Sequence, residues 1–208
     1  LASRVLIERS LYDRMKEELV KRTQFLKVGD PFNNITDLGA VISATHIEKL
    51  ESLVELVTLE GGTILCGGKR IKQSGELAKG FFFRPTVIEG LANDTTINQT
   101  PILGPIVSLQ AFDTLDEAVE LANETNYGLS ASVWTKDSTK ANEIATRMNA
   151  RTIWINAWLT PNLNLPTGGI MHSSFAMEGG RASLDFFTAE NFTIFIYRYN
   201  YFTFFHAC

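Results

Sequence analysis

Short apolar runs alternate with amphipathic segments along most of the chain. The apolar runs predict strands at residues 3–8, 63–66, 81–89, 106–112, 129–135 and 152–156. Apolar residues at helical spacing predict helices at 10–25, 47–57, 115–123 and 138–148, and a weak one at 182–187. The first helix has Leu11, Met15, Leu19 and Val20 on its apolar face. Such alternation predicts an α/β fold with a mostly parallel sheet flanked by helices.

Composition excludes several classes of protein. The 208 residues include 19 basic and 23 acidic side chains, a net charge of −4, which argues against a nucleic-acid partner. Two cysteines, Cys66 and Cys208, exclude a disulfide framework or a thiolate zinc cluster, and no metal site is predicted. Neither a signal peptide nor a membrane span is visible, so we predict a cytoplasmic protein with no membrane partner. The missing start methionine suggests that residues precede Leu1.

Local motifs for other chemistries fail on spacing. Residues 62–69 imitate a phosphate loop, but the spacing between Gly62 and Lys69 misses the motif by one residue, and Arg70 replaces Ser or Thr. A hydrolase using His172 and Ser173 is disfavoured because neighbouring residues rarely form a nucleophile–base pair and no GxSxG elbow is present. Cys66 ends an apolar strand without a nearby histidine, which favours a buried small side chain over a nucleophile.

An ordered series of motifs covers residues 3–197. It comprises SRVLIERSLYD (3–13), KVGDP (27–31), LCGGKR (65–70), GFFFRPTVIEG (80–90), ILGPIVSLQAFDT (102–114), EAVELANETNYGLSASVWTKD (117–137), IWIN (153–156), LPTGG (165–169) and EGGRASLDFFT (178–188). The series resembles the C-terminal part of the catalytic domain of the aldehyde dehydrogenase superfamily. Residues 156–169 are most similar to the branch that oxidises aminomuconic and hydroxymuconic semialdehydes. The resemblance implies a partial catalytic domain over residues 1–190.

The resemblance also implies a chemistry. In this family a cysteine thiolate attacks the aldehyde, hydride passes to NAD or NADP, and a glutamate activates water to release the acid. Alignment on the SRVLIE motif puts the cysteine one or two residues before Leu1, with the glutamate and the Rossmann domain further upstream. No catalytic residue is therefore expected within the chain. By itself the chain is predicted to be inactive and to bind no cofactor.

The family's cofactor-binding positions are altered in this chain. Pro101 stands where a glutamate binds the nicotinamide ribose, and Leu103 replaces a phenylalanine beside the nicotinamide. His46 and Lys49 fall on the helix that approaches the adenosine ribose in the family, although ordinary helix-surface positions are an equal alternative. These four residues are the candidate cofactor contacts.

The family's substrate funnel is altered in the same way. Trp158 lies in the loop that corresponds to the funnel, and Thr167 replaces an aromatic ring at its mouth. The semialdehyde branch has an arginine for the substrate carboxylate, whereas this chain has Thr160 and Pro161 there. The scaffold motifs match the family, whereas the residues expected to contact ligands differ from it. Two hypotheses stay open: a fragment of an aldehyde dehydrogenase, or a non-catalytic module that pairs with full-length homologues.

Residues 191–208 form an aromatic C-terminal segment with one charged side chain, Arg198. The resemblance implies that the stretch Phe192 to Tyr197 is an oligomerisation strand that adds to a neighbouring subunit's sheet, giving a homo- or hetero-oligomer. The last ten residues have two readings, a paired strand or sequence outside the ancestral fold. An unpaired aromatic segment of this kind promotes aggregation.

Overall fold

The computed structural model describes residues 3–160, 162 and 164–196. The strands in chain order are β1 (Arg4–Glu8), β2 (Thr63–Cys66), β3 (Arg70–Ile71), β4 (Phe82–Phe83), β5 (Thr86–Glu89), β6 (Ile106–Phe112), β7 (Ser130–Val133), β8 (Thr152–Ile155), β9 (Thr167–Gly168) and β10 (Met177–Glu178). The helices are α1 (Arg9–Phe25), α2 (Ala44–Leu59), α3 (Thr96–Gln99), α4 (Leu115–Asn123), α5 (Ser138–Arg147) and α6 (Gly180–Phe187), with a 3₁₀ turn at Gly75–Lys79. Among these helices none has the length and apolar character that crossing a bilayer requires.

The main sheet has four strands in the order β1-β6-β5-β2. Strand β6 runs parallel to both β1 and β5, and β2 is antiparallel to β5 at the edge. Strands β7 and β8 form a separate parallel pair. The α/β class and the mostly parallel sheet are therefore confirmed.

Helices cover both faces of the main sheet. Because successive side chains of a strand point to opposite faces, Val87 and Ile88 of β5 enter different clusters. Ile88 packs with Phe83 and the apolar face of α2. Val87 packs with Leu109 on the opposite face of the sheet, which α1 covers.

Two details of the sequence prediction are wrong. Leu11 and Met15 are exposed, whereas Leu19 and Val20 pack against the sheet as predicted, with Tyr12 beside them. The predicted strand at 81–89 is divided into β4 and β5, since Pro85 has no N–H to donate to a ladder.

The C-terminal segment forms no strand within the described part of this chain. Residues 192–196 have no assigned secondary structure, and Phe192, Ile194 and Ile196 are about four-fifths exposed (81%, 82% and 79%). Tyr197 and everything after it lie outside the described residues. Pairing with a partner's sheet stays a prediction.

Candidate functional site

A cleft of about 760 Å³ opens between the edge strand β1 and the β7–β8 pair. Residues 3–6 at the start of β1 form one wall, and residues 98–103 form another. Trp134 and Trp158 also line the cleft. The structure thus brings together the segment after the expected nucleophile, the predicted cofactor residues Pro101 and Leu103, and the predicted funnel residue Trp158.

The other two predicted cofactor residues, His46 and Lys49, are not among the described residues that line this cleft. Ser43 caps α2 by accepting a hydrogen bond from the backbone N–H of His46. His46 Nε2 then donates to the carbonyl oxygen of Leu103 at 2.7 Å. His46 therefore holds the cleft loop from outside, and neither it nor the exposed Lys49 is among the described residues that line the cleft.

A second cavity of about 500 Å³ adjoins the first through Trp158. Both predicted funnel residues, Trp158 and Thr167, line this second cavity, together with Trp154 and Leu159. The Trp154 and Trp158 rings meet edge to face with centroids 5.1 Å apart. All of the described lining residues of this cavity are uncharged.

A tight turn presents Trp158 to both cavities. Asn156 and Leu159 have positive φ angles of 50° and 48°, a conformation that non-glycine residues adopt at a cost. The Asn156 amide bonds both backbone groups of Thr135, and Ser132 Oγ donates to the carbonyl oxygen of Ala157 at 2.7 Å. These bonds fix the turn and with it the position of the indole.

Arg4 leads a polar network in the floor of the cleft, and no sequence motif indicated it. Its Nη1 donates to Asn93 Oδ1 (3.0 Å) and to the carbonyl oxygen of Leu121 (2.9 Å), and its Nη2 donates to that of Ala122 (3.1 Å). Burial lowers the pKa of Arg4, and the charge of Glu124 opposes that shift. The available signal was an arginine directly before the apolar run at residues 5–7.

The network continues into the loop that carries Pro101. The buried Asn93 amide donates to Glu124 Oε2 at 2.7 Å, and Gln110 of β6 donates to Asn93 Oδ1 at 3.3 Å. Gln99 Nε2 donates to the carbonyl oxygens of Asn93 and Glu124, both at 2.8 Å. Gln99 is the last residue of α3, so these bonds fix the chain just before residues 100–103.

The residues of the rejected motifs have structural partners. Ser173 Oγ accepts a hydrogen bond from the Gly128 N–H, while the exposed His172 ring packs edge to face on Tyr127. Burial raises the pKa of the Cys66 thiol, which opposes thiolate formation. No group of three or more His, Cys, Asp or Glu side chains in the described ranges is placed to hold a metal ion.

A mostly parallel α/β sheet beside a cleft lined by both apolar and polar residues is the framework of many cofactor-dependent enzymes. The family model that matches, over residues 1–192, is that of the aldehyde dehydrogenase family. The chain belongs to the aldehyde dehydrogenase family, as the motif series implied.

Two curated relatives define the extent of the match. The 2-aminomuconic semialdehyde dehydrogenase of Danio rerio is 36% identical over 188 residues, which cover 89% of this chain and 39% of the relative. The betaine aldehyde dehydrogenase of Bacillus subtilis is 38% identical over 186 residues, covering 89% and 38%. The chain therefore spans about two-fifths of the length of these relatives.

A solved structure shows the same fold. The betaine aldehyde dehydrogenase of Staphylococcus aureus, in complex with NAD⁺, superposes with a TM-score of 0.85 at 36% identity. The match covers 89% of this chain and 37% of that one. NAD⁺ is thus a cofactor of the family, as expected.

Proposed function

We propose that this chain forms one side of the active site of an enzyme that oxidises an aldehyde to a carboxylic acid with NAD or NADP. One observation carries the proposal. The cleft of about 760 Å³ joins residues 3–6, the loop at 100–103 and Trp158. In the family these segments follow the nucleophile, face the nicotinamide and surround the entering aldehyde.

The chain's own residues supply the apolar surfaces of such a site. Leu103 is 65% exposed and lines the cleft, where an apolar cofactor ring or substrate would cover it. Trp158 separates the cleft from the second cavity, which has room for the part of the substrate remote from the aldehyde. A muconic-type semialdehyde is one candidate, although the described lining of that cavity offers no cation for its carboxylate.

The residues present fit a nicotinamide cofactor only in part. Leu103 can pack on the ring, but Pro101 offers no side-chain acceptor to the ribose hydroxyls. His46 Nε2 is already bonded to the Leu103 carbonyl oxygen. We therefore assign no hydride-transfer step to this chain and limit its role to apolar packing and to holding the cleft walls.

A chimera tests this proposal. Residues 1–192 of this chain replace the matching segment of the Bacillus subtilis enzyme, which supplies the remaining three-fifths. We expect aldehyde-dependent NADH formation by the chimera and none by the 208-residue chain. A chimera that is folded and binds NAD⁺ but forms no NADH with a panel of aldehydes would contradict the proposal.

A matched pair of variants locates the effect in the cleft. Leu103→Asp puts a charge on the cleft wall and should lower kcat/KM at least about tenfold, or 1.4 kcal/mol. Leu59→Asp makes the same change at the end of α2, where Leu59 is 81% exposed and outside the cleft lining. Equal losses in the two variants would show that the cleft is not the site.

The alternative, a non-catalytic module that pairs with full-length homologues, is favoured by the exposed apolar side chains at 192–196. A segment of this kind can add to a partner's sheet through its backbone N–H and C=O groups. Co-purification with a full-length aldehyde dehydrogenase, lost on deletion of residues 192–208, would support this function. A monomer by light scattering at micromolar concentration would contradict it.

A further inference from the structure

The Arg4 side chain connects three parts of the chain around the cleft: strand β1, helix α4 and, through Asn93, the end of helix α3. Arg4 begins β1, and its guanidinium bonds two carbonyl oxygens in the last turn of α4, those of Leu121 and Ala122. Through Asn93 it also joins Gln99, which ends α3 and precedes the Pro101 loop. Arg4 and Gln99 both line the cleft itself.

The bonds of Arg4 are costly to lose. Asn93 is buried, and its Oδ1 accepts hydrogen bonds from both Arg4 and Gln110. Removing the guanidinium leaves this buried oxygen with only the longer bond from Gln110. The two carbonyl oxygens also lose a charged donor, and charge-assisted bonds are stronger than neutral ones. Arg4 thus fixes the spacing between β1, α4 and the loop.

The start of β1 is fixed from its other side as well. The Ser108 N–H donates to the Ser3 carbonyl oxygen at 2.8 Å, and Ser108 itself is wholly buried in β6. The sheet therefore holds the start of β1 against β6, whereas Arg4 links it, through Asn93 and Gln99, to the loop that carries Pro101 and Leu103.

We propose that Arg4 is a positioning residue: it holds the chain leading into β1 at a fixed distance from the loop at 100–103. The proposal rests on the proposed function, in which the nucleophile immediately precedes β1 and attacks an aldehyde held against that loop. Reacting groups must be aligned closely, since a displacement of about 1 Å costs on the order of 100-fold in rate.

The first experiment uses the 208-residue chain and amide hydrogen exchange. Arg4→Met should speed exchange of the Ser108, Gln99 and Glu124 amides at least about tenfold more than that of Gly62. Each of these amides has a backbone partner. Among the described residues, neither Gly62 nor its partner Val57, in the last turn of α2, shares a hydrogen bond with Arg4, Asn93 or Gln99. A uniform acceleration that includes Gly62, or none at all, would overturn the proposal.

Arg9→Met is the matched control. Arg9 follows β1 and makes a two-bond ion pair with Asp113 (2.6 and 2.9 Å), but both side chains are exposed and lie outside the cleft lining. This variant should leave the three reporter amides unchanged. If Arg4→Met does not fold, Arg4→Lys keeps the charge and should give an intermediate, local acceleration.

The second experiment separates positioning from stability in the chimera. Arg4→Lys should lower kcat about 10- to 100-fold with KM changed less than about threefold, because alignment rather than binding is lost. Equal kcat in the two forms would overturn the proposal. An inactive chimera with Arg4 intact would refute only the proposed function, since hydrogen exchange in the 208-residue chain still reports on Arg4.

Discussion

Two glycines, one on each side of β2, allow the cost of a steric collision to be measured separately from the cost of a left-handed backbone conformation. Gly67 has φ +80°, and a Cβ there would collide with the Pro85 carbonyl oxygen and lie 2.6 Å from Thr86 Oγ1. That hydroxyl accepts from the Gly68 N–H and donates to the Arg84 carbonyl oxygen. Gly61 has a similar φ of +87°, but a Cβ there meets nothing within 4 Å.

The two glycines therefore separate two costs. Gly61→Ala should lose about 1–2 kcal/mol from the left-handed conformation alone. Gly67→Ala should lose the same amount plus about 1–3 kcal/mol for overpacking against a main-chain atom that cannot rotate away. Any gain from a less flexible unfolded chain is common to both variants and cancels in the comparison.

Urea unfolding followed by far-UV circular dichroism measures both losses. We expect Gly67→Ala to be the less stable variant by at least about 1 kcal/mol, with an unchanged urea dependence. Losses equal to within about 0.5 kcal/mol would refute the reasoning, because the contact with Pro85 would then cost nothing. The expected result would also explain why glycine occupies position 67 in the rejected phosphate-loop motif without any phosphate-binding role.

Three further predictions concern the cofactor, the tail and the free thiol. Calorimetry should show NAD⁺ binding to the 208-residue chain with a Kd no lower than millimolar. Pro101→Glu should not lower that Kd, since one bond cannot offset the roughly 4 kcal/mol or more that association costs. A micromolar Kd would contradict this prediction. Deleting residues 198–208 should raise soluble yield with unchanged far-UV circular dichroism, and a loss of that signal would show an integral element. In a Cys208→Ser background, iodoacetamide at pH 8 should modify Cys66 more slowly than a free peptide thiol, because its raised pKa leaves less thiolate.

The sequence predicted most elements because their patterns are local. Strands β2 and β6 and helix α4 have the predicted bounds, since each is a continuous apolar or periodic run between clear breaks. The exposure of Leu11 and Met15 on α1 has a tertiary cause. Tyr12 meets the sheet beside Leu19 and Val20, where its hydroxyl donates to Glu89 at 2.9 Å while its ring packs on the sheet.

The candidate site was predictable only where the family resemblance reaches. That resemblance indicated Leu103, Trp158 and Thr167, and the structure brings all three to the two adjoining cavities. The Arg4 network was not predictable, because its partners Asn93 and Leu121 are 89 and 117 residues away in the chain. Pairings at such separations follow from the topology and leave no mark in local spacing.

The parallel pairing of β1 with β6 has a consequence for synthesis on the ribosome. Arg4 pairs with Ser108, so the first strand leaves the ribosome 108 − 4 = 104 residues before its partner. At roughly 5–20 residues per second, this gap lasts on the order of 5–20 s. Throughout that interval the strand Arg4–Glu8, with its apolar centre at residues 5–7, lacks its partner β6. Nascent chains should therefore bind chaperones through the segment at residues 4–8 until residue 112 emerges.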